Sequence, residues 1–247
     1  MSDFNRGFSR TAAAPADMAV DAGLRAFMLG VYNKVALGLI LSAAMAYLTG
    51  AYPPVRDLMF GERPDGRVGF TVLGMVVAFA PLGILLFSRF FAAATPRSSG
   101  IVYWLIVTLI VASLGTVVLL YTGASIGTTF LITATAFGAL SLAGYTTKKD
   151  LSGFGSFLIM GLIGLILASV VNIFLHSSMM AFIVNVIGVL IFAGLTAYDT
   201  QRLKMTYYRL GGDTAALGVA TNYGALSLYL DFINLFQFLL SLTGSRR

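Results

Sequence analysis

Seven stretches of about 20 mostly apolar residues alternate with short polar segments along this chain of 247 residues. An α-helix of about 20 apolar residues covers the ~30 Å hydrocarbon core of a bilayer. The pattern therefore predicts an all-α membrane protein with seven transmembrane helices, numbered here as spans 1 to 7. The predicted spans cover residues 27–50, 69–90, 101–121, 125–146, 154–175, 179–199 and 218–242.

The segments outside the spans complete the predicted organisation. Residues 1–24 are polar, with arginine and aspartate interspersed, and lack the pattern of a cleavable signal peptide. We expect them to form a flexible cytoplasmic tail, ahead of a transmembrane domain at 25–243 and a short C-terminal tail at 244–247. The polar, basic segment 200–217 is predicted to be an inner loop between spans 6 and 7.

Composition supports the membrane class and removes several others. Hydrophobic residues make up 58% of the chain and charged residues only 11%, whereas soluble domains have roughly 25% charged residues. The net charge of +6 comes from basic residues scattered at predicted helix ends, which is typical of topology determinants and not of a nucleic-acid-binding face. Cysteine is absent, which excludes disulfides and thiolate metal sites.

The distribution of lysine and arginine predicts the orientation, because these residues are enriched in cytoplasmic segments. With the amino terminus inside, ten basic residues lie on the inner side and five on the outer side. The inner set is Arg6, Arg10, Arg25, Arg89, Arg97, Lys148, Lys149, Arg202, Lys204 and Arg209. The outer set is Arg56, Arg63, Arg67, Arg246 and Arg247. The amino terminus is therefore predicted to be cytoplasmic and the carboxyl terminus outside.

Asp231 is the clearest functional candidate. It lies about 13 residues into span 7, roughly 20 Å along the helix axis, where an ionised side chain costs about 2.5–3.5 kcal/mol. Polar residues at intervals of three or four place a stripe on one face of the same helix. With Asp231, the predicted pore stripe consists of Tyr223, Ser227, Asn234 and Gln237. Lipid cannot solvate such a stripe, so span 7 is predicted to be central in the bundle. The alternative for the uncharged members is hydrogen bonding between helices alone.

Asp199 is the second candidate, at the predicted inner end of span 6. Spans 6 and 7 are consecutive and antiparallel, so Asp199 and Asp231 are able to share one internal polar route. Two carboxylates in a low-dielectric site titrate as a unit, and when ionised they suit a hard divalent cation such as calcium, with modest affinity. The alternative is an exposed Asp199 that pairs with Arg202 or Lys204.

Two further cations lie at depths that would let them pair with Asp199. Arg89 lies at the inner end of span 2, and Lys34 lies near the start of span 1, where it is also able to extend to the interface. The only histidine, His176, is in a short outer turn, which makes a haem or histidine-based metal site implausible. No tightly bound cofactor is expected.

Three segments resemble the transmembrane Bax-inhibitor-motif family over about residues 25–243. They are Gly144-Tyr145-Thr146-Thr147-Lys148-Lys149-Asp150-Leu151-Ser152, Ala197-Tyr198-Asp199-Thr200-Gln201 and Leu228-Tyr229-Leu230-Asp231-Phe232-Ile233-Asn234-Leu235-Phe236. The resemblance implies a bacterial-type member in the inner membrane, with the last of seven helices surrounded by the other six. It also implies a pH-sensitive calcium leak, with Asp199 and Asp231 as the proton and calcium sensors and Arg89 as the nearest match to an arginine that locks one aspartate.

The leading hypothesis is therefore a non-enzymatic cation leak whose partners are membrane lipid, calcium and protons. A second hypothesis is a non-conducting regulator that binds other membrane proteins, such as a membrane-bound protease. A third is an intramembrane aspartyl protease, because two aspartates lie on spans 6 and 7 and Tyr198 precedes one of them. Against it, Leu228-Tyr229-Leu230 stands where Gly-x-Gly is expected before the second aspartate, and no Pro-Ala-Leu tripeptide is present.

Overall fold

The computed structural model describes residues 15–62, 68–91 and 95–246, with the side chains of 15–21, 62, 68 and 86–91 left undescribed. The helices are α1 (Pro15–Ala51), α2 (Pro53–Met59), α3 (Val72–Phe91), α4 (Pro96–Ser113), α5 (Gly115–Leu120), α6 (Gly123–Thr146), α7 (Ser152–Leu175), α8 (Ser178–Leu210) and α9 (Thr214–Thr243). Two short strands are β1 (Phe60–Glu62) and β2 (Val68–Phe70). Predictions for Arg6, Arg10, Arg63, Arg67, Arg247 and the side chain of Arg89 lie outside the described residues.

The all-α membrane class is confirmed. Within the described ranges, six helical segments are long and apolar enough to cross a bilayer. They are Ala22–Ala51, Pro96–Leu120, Gly123–Thr146, Ser152–Leu175, Ser178–Leu210 and Thr214–Thr243. Span 2 corresponds to α3, of which Val72–Leu85 forms a shorter apolar helix. A seventh crossing stays a prediction.

The predicted boundary between span 6 and the inner loop was wrong. Helix α8 does not end near Asp199 but continues for another 11 residues to Leu210. The segment 200–210 contains no proline or glycine that would break a helix, so the helix continues although the segment is largely polar. Gly211 has a φ of 57°, the left-handed conformation that terminates helices. Asp199 therefore lies inside a continuous helix.

Helix α1 also extends beyond its predicted limits. It begins at Pro15, a residue whose fixed φ suits the first helical turn, inside the segment that was predicted to be a tail. The extension packs against the extended part of α8, where Gly23 lies so close to Tyr207 that a Cβ on Gly23 would collide with the tyrosine side chain. Leu24 and Leu203 are buried in the same cluster. The two extensions therefore stabilise one another.

The loop between spans 1 and 2 contains structure that the sequence pattern did not predict. Helix α2 leads into an antiparallel hairpin that pairs Phe60 with Phe70 and Gly61 with Gly69. The Phe60 ring is buried, and it approaches Gly115 so closely that a Cβ there would lie 2.8 Å from it. The hairpin thus packs against the short break between α4 and α5. Three-residue strands are too short to leave a periodic signal.

Helix α9 forms much of the core. It packs against α1, α4, α6 and α8, and it is the most buried of the six candidate spans, whereas α7 is the least buried. Polar groups on α9 find partners inside the bundle, since the Tyr229 and Ser42 hydroxyls are hydrogen bonded at 2.8 Å. This arrangement matches the physical requirement that a polar face be shielded from lipid.

Gly144 sets the approach of α6 to α8. A Cβ on Gly144 would collide with the backbone of Ala197, with the carbonyl carbon at 2.8 Å. We expect Gly144→Ala to lower the unfolding free energy by about 1–3 kcal/mol, because two backbones must separate. Thermal unfolding in detergent measures this. Gly138→Ala is the matched control on the same helix, where a Cβ meets nothing within 4 Å. Equal stability of the two variants would contradict the prediction.

Candidate functional site

A cavity of about 640 Å³ lies among α3, α7, α8 and α9. Most of its wall is apolar, with contributions such as Pro81 from α3 and Leu162 from α7. Its charged and amide groups all come from α8 and α9. They are Asp199, Arg202, Asp231, Asn234 and Gln237, and the hydroxyls of Ser227, Tyr198 and, from α7, Ser169 also line the cavity. The structure therefore brings both predicted aspartates, and three other members of the predicted stripe, to one cavity.

The two carboxylates are buried within the bundle. Asp231 is 5% exposed and Asp199 is 7% exposed. Within the part of the chain that the structure describes, the enclosed Oδ2 of Asp231 has no hydrogen-bond partner. An unpaired buried carboxylate oxygen is costly, and such groups are uncommon in native proteins unless they bind a proton, an ion or water. Asp231 therefore has the surroundings of a binding group.

Arg202 connects Asp199 to α9. Its Nη2 lies 3.2 Å from Asp199 Oδ1 and donates to Ser227 Oγ at 3.1 Å. The guanidinium carbon lies 5.7 Å from the centroid of the Tyr198 ring. The Arg202 side chain is 43% exposed, so solvent weakens the ion pair relative to a fully buried one. One cation thus neutralises Asp199 and joins the two helices that carry the aspartates.

Sequence reasoning considered Arg202 only as the partner of an exposed Asp199. The spacing of three residues was a usable signal, because residues i and i+3 are neighbours on a helix. The predicted end of span 6 near Asp199 obscured that signal, because residues i and i+3 are neighbours only where the helix continues. The structure combines the two predicted alternatives, because Asp199 pairs with Arg202 and is nevertheless buried beside the cavity.

Lys34, another predicted partner of Asp199, lies elsewhere. Lys34 Nζ lies 5.8 Å from the centroid of the Tyr103 ring on α4, and the Tyr103 hydroxyl donates to the Lys34 carbonyl at 2.6 Å. No ion pair of Lys34 is present among the described residues. The side chain of Arg89 is outside the description, so its pairing stays a prediction. Tyr223, the first residue of the predicted stripe, is 37% exposed and does not line the cavity.

The loop between α6 and α7 is fastened to α8 beside this site. Gln201 Nε2 donates to the Lys149 carbonyl at 2.7 Å, and Gln201 Oε1 accepts from the Leu151 backbone N–H at 2.8 Å. Lys204 Nζ donates to the Tyr145 carbonyl at 3.0 Å. Lys148 and Lys149 of this loop were counted above among the topology determinants. The backbone around them is also hydrogen bonded to the helix that carries Asp199.

Asp150 shapes the same loop. Hydrogen bonds from the Ser152 side chain and from its backbone N–H, the latter 2.8 Å long, lower the pKa of Asp150 below its usual value. Asp150 therefore remains ionised at neutral pH and accepts a hydrogen bond in the first turn of α7. This side chain is fully exposed, so its role is local.

The cavity offers oxygen atoms of several kinds as possible ligands for a cation. Among the described residues, no group of three or more histidine, cysteine, aspartate or glutamate side chains is able to hold a metal ion. The oxygen donors available are two carboxylates with the amides and hydroxyl of the stripe, which match the preference of calcium in type but provide few charges. Arg202 would also compete with any cation for Asp199.

A family model described as "Inhibitor of apoptosis-promoting Bax1" matches residues 24–247. The chain belongs to this Bax1 inhibitor family. The predicted resemblance is thereby confirmed over almost the whole sequence, including both aspartates and the loop after α6.

Relatives of this chain occur in several bacteria. A protein of Caulobacter vibrioides is 64% identical over 249 aligned residues, which cover all of both chains. A protein of Rickettsia prowazekii is 45% identical, covering 92% of each chain. The Escherichia coli K12 inner membrane protein YbhL is 42% identical, covering 92% of this chain and 94% of the relative. None of these three carries an enzymatic name. Together with the apolar helices, they identify an integral membrane protein.

The ion pair between Arg202 and Asp199 predicts an asymmetric mutational response. Arg202→Gln should lower the unfolding free energy by about 1 kcal/mol, because it leaves a buried carboxylate without its cation. Adding Asp199→Asn should restore part of the loss by removing the uncompensated charge. Thermal unfolding at neutral pH measures all three proteins. Arg209→Gln, at an exposed position near the end of α8, should have no effect. A double variant no more stable than Arg202→Gln would contradict the pairing.

The Gln201 contacts predict local protection from hydrogen exchange. Gln201→Leu removes both the donor and the acceptor, so the Leu151 amide should exchange markedly faster. Gln201→Glu keeps the acceptor for the Leu151 N–H and loses only the donor to the Lys149 carbonyl. Its Leu151 amide should stay largely protected. Hydrogen–deuterium exchange on the peptide containing residues 147–151 measures this, and equal exchange in the wild type and Gln201→Leu would refute it.

Proposed function

We propose that this protein is a non-enzymatic, pH-sensitive cation leak that passes calcium and is controlled by protonation of Asp199 and Asp231. The observation that carries the proposal is the shared cavity. Two buried carboxylates from adjacent helices line it, and one oxygen of Asp231 has no partner among the described residues. The negative charge of such a carboxylate pair must be balanced by a positive charge. A proton, a metal cation or the Arg202 side chain is able to provide it.

Competition among these three species provides the control. At neutral pH, Arg202 balances Asp199 and ties α8 to α9 through Ser227. Protonation of Asp199 removes the attraction that holds Arg202 in place, so the tie between the helices weakens. Proton and calcium compete for the same carboxylate oxygens. Protonation therefore changes the relative populations of conformations that differ in access to the cavity. Flux is expected to rise as the pH falls.

The proposal includes a membrane arrangement. Helix α3 crosses the membrane as span 2, which brings the number of spans to seven, and α9 is surrounded by the other six. The amino terminus is cytoplasmic and the carboxyl terminus is outside. The packing of α9 against four helices and the predominance of basic residues on the predicted inner side support it. The name of the Escherichia coli relative favours the bacterial inner membrane. The remaining partners are lipid, calcium and protons.

Asp231→Asn tests the function directly. This variant keeps the shape of the side chain but removes one of two carboxylates that titrate as a unit, so the pair loses its shared proton and calcium flux should lose its dependence on pH. The measurement is calcium uptake into liposomes containing the purified protein, at two pH values, with a trapped calcium-sensitive dye. The wild type should show higher flux at the lower pH, while Asp231→Asn should give the same flux at both.

Asp213→Asn is the matched control. Asp213 accepts hydrogen bonds from the Ala215 and Ala216 amides at the start of α9, and asparagine caps helices equally well. Its flux should follow the wild type. Persistent pH dependence in Asp231→Asn would remove the mechanism. Wild-type liposomes without flux at either pH would contradict conduction and favour a non-conducting regulator.

A further inference from the structure

A cleft that is distinct from the aspartate cavity separates α1 from α6. Both helices pack against α9 but barely against each other. Two cavities follow one another along this α1/α6 cleft. The first, about 480 Å³, lies near the start of α1 between Arg25 and Tyr32. The second, about 390 Å³, lies farther along, between Leu39 and Tyr47. The cleft therefore extends through much of the depth of the membrane domain.

The walls of both cavities are suited to an acyl chain. In the first, Met28 and Leu29 of α1 face Phe137 and Leu142 of α6. The second is lined almost wholly by apolar side chains, with Phe232 of α9 among them. Both helices are candidate membrane spans, so the material next to the cleft is lipid. An apolar groove bordered by hydrocarbon is filled most favourably by hydrocarbon.

The mouth of the first cavity is basic. Arg25 lines it, is exposed, and has no ion-pair partner among the residues described. Lys204 lies 3.0 Å from the carbonyl of Tyr145, a residue of the cavity wall. Lys148 and Lys149 follow directly after the end of α6, and the one nearby acid in the described loop is Asp150. The charge at the mouth therefore complements an anionic group at the membrane surface.

We propose that the first cavity binds an anionic phospholipid of the surrounding bilayer. One acyl chain lies between α1 and α6, and the phosphate lies at the mouth against Arg25 and Lys204. The proposal uses none of the residues assigned to cation leak and stands apart from that function. A chain in this position contacts Phe137, whose ring lies 5.4 Å from that of Phe232, the residue after Asp231.

The headgroup contact is tested with the full chain in a neutral detergent. Native mass spectrometry gives the fraction of protein that carries dioleoyl phosphatidylglycerol, compared with dioleoyl phosphatidylcholine. The wild type should prefer the anionic lipid. Arg25→Gln should reduce that preference about fivefold, the factor that corresponds to one basic side chain near an anionic lipid surface. Arg97→Gln, an exposed arginine at the start of α4 that does not line the cavity, should keep the full preference.

The chain contact is tested with two glycines. A Cβ on Gly138 or on Gly164 meets nothing within 4 Å, but only Gly138 lines the cavity. Gly138→Leu should therefore reduce binding of both phospholipids several-fold, while Gly164→Leu, on α7, should not. Glycerol 1-phosphate, which has the phosphate without the chains, should not displace the lipid.

Three results would overturn the proposal. One is an unchanged lipid preference in Arg25→Gln, a substitution at an exposed position that should not impair folding. Another is equal lipid binding by Gly138→Leu and Gly164→Leu. The third is displacement by glycerol 1-phosphate at the same concentration as phosphatidylglycerol, which would indicate a site for free phosphate.

Discussion

The burial of a carboxylate inside the hydrocarbon region is the constraint on which the rest of this structure depends. Asp231 is tolerated there because α9 packs against four other helices, so that its polar face meets a cavity and not acyl chains. The same packing places the Tyr229 hydroxyl of α9 inside the core, where it is hydrogen bonded to Ser42 of α1. The position of α9 in the bundle therefore follows from what it carries.

Helix α8 connects the site to the surface of the bundle. Within four residues, Gln201 holds the loop before α7, Arg202 joins Asp199 to Ser227, and Lys204 binds the end of α6. These contacts depend on the continuation of the helix past Asp199, because the rotation of 100° per helical residue directs the three side chains to different neighbours. A change in the charge of Asp199 thus acts on a segment that is bound to both neighbouring helices.

Two faces of α9 have different environments. The face with Asp231, Asn234 and Gln237 lines the polar cavity, whereas Phe232 and Phe236 line the α1/α6 cleft. Helical periodicity separates these faces, since residues three or four apart share a side and adjacent residues do not. Lipid in the cleft and protons in the cavity would therefore contact the same helix from different sides.

The sequence by itself determined the membrane class, the approximate position of the spans, the family and the inward direction of the α9 stripe, because these follow from local composition, periodicity and motif. Only the tertiary structure decided that Asp199 is buried, that Arg202 and not Lys34 is its partner among the described residues, and that Gln201 binds the α6–α7 loop. Those features depend on where α8 ends and on how side chains from distant helices are directed, and neither quantity is encoded in hydropathy. The hairpin of Phe60 and Phe70 also escaped prediction. Its strands are too short to leave a periodic signal, and its packing against α5 is a tertiary contact.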